Sequence, residues 1–103
     1  VLKGEHMEKT KTGRGFDLIR FQDLCGETCN IQKSSLADED AIWIGVEDAN
    51  PRIMAKEVRE DLTGWVKYPV PESVLMSTRM HINRERAKEI ISILQKFVDT
   101  GDL

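Results

Sequence analysis

The sequence predicts an α+β fold: a short antiparallel β-sheet with a small surface helix and a long C-terminal amphipathic helix packed on the sheet. Three observations carry this reading. The run Ala41-Ile42-Trp43-Ile44-Gly45-Val46 alternates at period two, with Ile42, Ile44 and Val46 on one face. Ala87, Ile90, Ile91, Leu94, Phe97 and Val98 recur at helical spacing. Between these, short apolar runs are broken by clusters of Gly, Asp, Asn and Pro. With 103 residues, 40% hydrophobic and 32% charged, the chain is near the size of one domain and too apolar for disorder. We therefore expect a flexible leader over 1–12 and a single α+β domain over 13–103.

Taken in order, Phe16-Asp17-Leu18-Ile19-Arg20-Phe21 is of strand type, and the slip in alternation at Leu18-Ile19 suggests a bulge. Residues 23–28 carry turn formers, and 29–36 read as the returning strand of a hairpin. Asp38-Glu39-Asp40 makes a charged turn before the strand at 41–46. Asn50-Pro51 suits a helix start, so 52–61 is expected to be a short surface helix with Ile53, Met54 and Val58 as its apolar stripe. The prolines at 69 and 71 restrict 65–71 to an edge or crossing segment, and 72–81 reads as extended. Asn83 is an N-cap candidate and Gly101 a C-terminal stop, so the last helix is expected to lie across the sheet and close the core.

Composition narrows the function. A net charge of −3 argues against binding long nucleic acid, which favours a basic excess. No run reaches the roughly 18 apolar residues of a membrane span, and the polar residues 1–11 lack the apolar core of a secretory signal. Cys25 and Cys29 have no second cysteine pair to complete a zinc site; free thiols and a disulfide are the remaining readings. No metal and no cofactor is expected. There is no Gly-rich phosphate loop, nucleophile-elbow serine or helical His pair. A small hydrolase would need His81 within reach of an activated serine such as Ser35. The sequence favours binding over catalysis.

The residues suited to binding cluster in Ser77-Thr78-Arg79-Met80-His81-Ile82-Asn83-Arg84. Arginine presents a planar fork to phosphate oxygens, and a helix start presents free N–H groups and partial positive charge. Arg79, His81, Asn83 and Arg84 are therefore candidate ligand contacts, against the alternative that Arg79 pairs with an acid, His81 packs and Arg84 is solvated. The run Gln32-Lys33-Ser34-Ser35 offers further donors, with Lys33 the cationic one. Trp43, flanked by Ala41 and Gly45, leaves a flat shelf that suits a planar ligand or a packed helix. Trp65, Tyr68 and Phe21 are further stacking candidates.

Three stretches together resemble small proteins of bacteriophages and prophages. They are Arg14-Gly15-Phe16 through Phe21-Gln22-Asp23 with Ile31-Gln32-Lys33-Ser34-Ser35, then Ala41-Ile42-Trp43-Ile44-Gly45, then Arg79-Met80-His81-Ile82-Asn83-Arg84-Glu85 with the helix to Gly101. The layout of 13–103 is similar to the first class of Thoeris anti-defence proteins. The resemblance implies a non-catalytic sponge that sequesters a cyclic nucleotide immune signal, of cyclic ADP-ribose type or a cyclic oligonucleotide, in the cytoplasm of a bacterial host. It also implies a homo-oligomer, with Arg79 and Arg84 clamping phosphates and Trp43 stacking adenine. The alternative is a protein-interaction module or inhibitor of a host enzyme, using an acidic surface and the segment 65–71.

Overall fold

Alternating side chains and tight polar turns give seven strands among the described residues, each paired antiparallel. A computed structural model describes residues 7–103. In chain order its elements are β1 (Glu8–Lys11), β2 (Asp17–Gln22), β3 (Thr28–Lys33), β4 (Ala41–Val46), β5 (Arg52–Met54), a 3-10 turn (Ala55–Glu57), β6 (Trp65–Lys67), β7 (Arg79–Asn83) and α1 (Arg84–Thr100). The fold is α+β. Where the sequence suggested one domain, the contacts group into two units: the residues up to Glu47 with Arg79–Leu103, and Asp48–Thr78.

The first unit holds a five-stranded sheet in the order β1-β2-β3-β4-β7, with every neighbouring pair antiparallel. The expected leader thus includes an edge strand, since Glu8–Lys11 pairs with Asp17–Arg20; its residues 1–6, His6 among them, lie outside the described residues. Gly15, at φ 85°, allows the reversal between β1 and β2, and its N–H donates to the Thr12 carbonyl at 2.9 Å. The next reversal is organised by Asp23, whose Oδ1 accepts from the N–H groups of Cys25 and Glu27, each at 2.9 Å. No bulge occurs at Leu18-Ile19: both residues stay in register with β3, and Leu18 simply turns to the opposite face.

Register sorts the side chains onto two faces. One row across four strands reads Arg20, Asn30, Gly45, Arg79, and the next reads Leu18, Gln32, Trp43, His81. The opposite face carries Ile19, Phe21, Ile31, Ile42, Ile44 and Val46, all half-buried, with Ile82 buried and Met80 exposed. Among the described residues no large side chain is fully buried.

The helix departs from expectation in one respect. Its limits agree: Asn83 Oδ1 accepts from the Arg86 N–H at 3.0 Å, and Gly101 ends it at φ 80°. However, none of its residues is buried; Ile91 is 65% exposed and Val98 74%. The cause is local. Asn83 is both the last residue of β7 and the helix cap, so no loop exists in which the chain could turn back over the sheet.

In the second unit, 52–61 is not a helix. Arg52–Met54 pairs with Trp65–Lys67 as a two-stranded ribbon, and Ala55 N–H donates to the Gly64 carbonyl at 2.8 Å. The Pro51 carbonyl accepts from Tyr68 N–H at 2.9 Å, which commits the chain to extended pairing where a helix start was expected. Three apolar residues were too narrow a stripe to hold a helix against that pairing.

Candidate functional site

The site is a consequence of strand parity. Trp43 on β4 stands directly opposite His81 on β7, so their rings rise from the same face. They stack with centroids 3.8 Å apart and planes 6° apart. His81 Nε2 lies 2.9 Å from Ser34 Oγ, which fixes the imidazole's in-plane rotation. Ser34 is itself buried, and its oxygen also accepts from the Leu36 N–H at 3.3 Å.

Arg79, two residues before His81, lies on the same face. Its guanidinium sits 5.5 Å from the Trp43 ring centre, a cation–π placement. Its Nη1 donates to Gln32 Oε1 at 3.0 Å and to Asn30 Oδ1 at 3.4 Å. Both acceptors are neutral amides, so they orient the cation without neutralising it. Asn30 is buried, and its Nδ2 donates to Glu47 Oε1 at 3.1 Å; Arg20 Nε reaches the same oxygen at 2.5 Å. Burial alone would raise the Glu47 carboxyl, but the bonds from Asn30 and Arg20 and the charges of Arg20 and Arg79 hold it below the usual carboxylate range.

The structure therefore brings Arg79, His81 and Trp43 together, with Gln32 and Ser34 from the polar run beside them. The indole is not the open shelf that the sequence suggested, because His81 covers one of its faces. Lys33 and Arg84 belong elsewhere. Lys33 points to the opposite face from Gln32, and both cations pair with Asp40, at 3.2 Å and 3.6 Å. Phe21 lies on the apolar face, opposite Cys29.

Asn83 is used as a cap, and the helix start is a poor place for an anion. A cleft of about 300 Å³ beside it is lined by Glu39, Glu85 and Glu89 with Arg86, His81 and Asn83. Three carboxylates offset the dipole that favours negative charge there. Sequence reasoning missed Asn30, Arg20 and Glu47. Their signal was available only through pairing: residues 20 and 30 face one another across the β2–β3 hairpin, three strands and two strands from Arg79.

Cys25 is an exposed free thiol and Cys29 a buried one. Burial, then the charges of Asp23 and Glu27, push the Cys29 thiol up from its ordinary value. Among the described residues no group of three or more His, Cys, Asp and Glu side chains is placed to hold a metal ion, and no helix is long and apolar enough to cross a membrane. Comparison of the chain with family models, with curated proteins and with solved structures returned no match.

Proposed function

We propose that this is a non-catalytic binding protein that captures a cyclic nucleotide immune signal, of cyclic ADP-ribose type or a cyclic oligonucleotide, and so blocks host anti-phage defence. The observation that carries this reading is the convergence of Arg79, Trp43 and His81 over a polar floor of Asn30, Gln32 and Ser34. A cation held by neutral amides beside a stacked aromatic pair matches the two parts of a nucleotide: an anionic phosphate and a planar base. Rigid side chains lower the ordering cost of binding, and each of these is fixed by at least one partner.

The Ser34–His81 contact fits the same reading. Ser34 is 4% exposed and engaged by a backbone N–H, a position that suits holding the imidazole in place. The protein works as an oligomer in this proposal, because α1 leaves Ile91, Leu94, Phe97 and Val98 more than half exposed on one stripe. Within the helix Ala87 and Ile90 are half-buried and every other residue is exposed, so the sheet covers little of it.

The second reading, a module that binds a host protein, is favoured by exposed apolar side chains in the unit Asp48–Thr78: Trp65 at 65%, Tyr68 at 48% and Leu75 at 90%. Calorimetric titration with cyclic ADP-ribose isomers and cyclic oligonucleotides separates the two. Capture predicts binding that is lost in Arg79→Ala and in Trp43→Ala, with the nucleotide recovered intact after denaturation. Absence of binding across the panel would overturn the capture reading and leave the protein partner.

A further inference from the structure

Among the described residues of the first unit, no element is layered over the apolar face of the sheet. Ile19, Ile31, Ile44 and Met80 form one cross-strand row on that face, flanked by Phe21, Val46, Ile42 and Ile82. Met80 is 54% exposed and all the others except Ile82 are half-buried, so water reaches the face across four strands. A sheet with one apolar face buries it under a second packed layer. The unit's one helix, α1, adjoins β7, the strand that it continues.

The apolar face and the helical stripe are joined at one corner. Ala87, the first residue of the stripe, lines a recess of about 100 Å³ with Ile42 and Ile82, so the stripe starts on the apolar side of the sheet. From Ile91 onward every residue is exposed, and the helix runs off the sheet instead of crossing it. Asn83 ends β7 and caps α1, which leaves no hinge for the turn back. A connection too short for an element to close on its own chain is the condition under which copies exchange that element.

We infer that two copies of this chain exchange α1, each laying Ile91, Leu94, Phe97 and Val98 across the apolar sheet face of the other. The exchange rests on the oligomer that the capture reading invokes, and it names the interface. Each chain gives the same helix and receives it on the same face, so the arrangement is isologous and closes as a dimer. The dimensions match: the 17 residues of α1 are about 25 Å long, and the five strands span roughly 20 Å. At roughly 60–120 Å² for each exposed residue and about 20–60 Å² for each half-buried one, one helix on one face covers roughly 400–950 Å². Two reciprocal seatings cover on the order of 800–1,900 Å², which spans the roughly 1,600 Å² of a standard stable interface. The stripes packed on each other alone reach only the lower end of that range.

Two measurements on the full chain test the exchange. In the first, a hinge of about six residues ending in Asn is inserted between Asn83 and Arg84, which frees the helix to turn back and keeps a cap at its start. The chain's own α1 then meets the face at an effective concentration of about 1 mM. At about 20 μM protein the monomer should exceed the dimer by at least about tenfold in sedimentation equilibrium, whereas the parent sediments as a dimer. An insertion variant that keeps the parent's mass would overturn the exchange and leave the oligomer standing. In the second, benzoylphenylalanine replaces Phe97, and a mixture of isotope-labelled and unlabelled chains is irradiated. Mass spectrometry should place the adducts between copies, on β2, β3 or β4, and this decides the matter if the insertion variant does not fold. Adducts on the other copy's α1, or within a single chain, would overturn the exchange. A parent that sediments as a single chain removes the oligomer together with the exchange, and nucleotide titration then decides capture separately.

Discussion

In the oligomer proposed above, replacing Leu94 by glutamate should separate the copies without unfolding them. Leu94 lies mid-stripe on α1, between Ile90 and Ile91 on one side and Phe97 and Val98 on the other, and is 54% exposed. Ile91, Leu94, Phe97 and Val98 with Ile93 each leave roughly 60–120 Å² of apolar surface in water. Paired with a second copy, the stripe would bury on the order of 600–1,200 Å² in total, up to the lower bound of specific interfaces. At about 25 cal/mol per Å² that is roughly 15–30 kcal/mol before the cost of association, about 4–15 kcal/mol, and of desolvated polar groups. A glutamate at position 94 removes about 1.5–3 kcal/mol of burial per copy and adds an unpaired charge at the interface. The dissociation constant should rise by at least about a hundredfold. Sedimentation equilibrium reads this directly: a multiple of 11.8 kDa for the parent at micromolar concentration, and 11.8 kDa for Leu94→Glu. A parent that sediments as a single chain at tens of micromolar would refute the reasoning. So would a Leu94→Glu variant that keeps the parent's mass.

Two further outcomes test the structure itself. Asn83→Ala removes the side chain that accepts from Arg86 N–H and should cost about 1 kcal/mol, lowering the melting temperature by about 4–8 °C; no change would show that the cap is dispensable. Glu47 is held ionised by Arg20 and Asn30, so its stabilising contribution is full above the unfolded carboxyl pKa, about 4.3, and is lost as pH falls through its lower folded value. Unfolding free energies from urea titration of the parent and Glu47→Gln should therefore differ at pH 7, by no more than about 1 kcal/mol, and the difference should shrink as pH falls below the unfolded carboxyl pKa. A difference that does not shrink on acidification would refute the assignment.

The parts of the fold that were legible in the sequence are those set by local periodicity. β4 and α1 follow from patterns of two and 3.6, and the cap and stop of α1 follow from Asn83 and Gly101. The ribbon at 52–67 was misread as a helix because its pairing depends on Trp65–Lys67, outside the window in which propensity operates. The position of the helix was misread for a related reason. An amphipathic stripe states that something covers it and is silent on whether the cover is the chain's own sheet. In the candidate site, Arg79, His81 and Trp43 were legible because each is conspicuous by residue type, and the fold brings the three together. Arg20, Asn30 and Glu47 look like ordinary strand and turn polars until the register aligns them. Lys33 and Arg84 were drawn in by adjacency in sequence, whereas parity and Asp40 assign them to another place.

The shared role of Asn83 also has a mechanical meaning. Strand and helix meet at one residue without slack, so α1 behaves as a lever whose fulcrum is the end of β7. Seventeen residues make an arm of about 25 Å, and a tilt of ten degrees at the fulcrum carries the far end through about 4 Å. Arg79 and His81 sit on the short arm of that lever, and the exposed stripe rides on the long one.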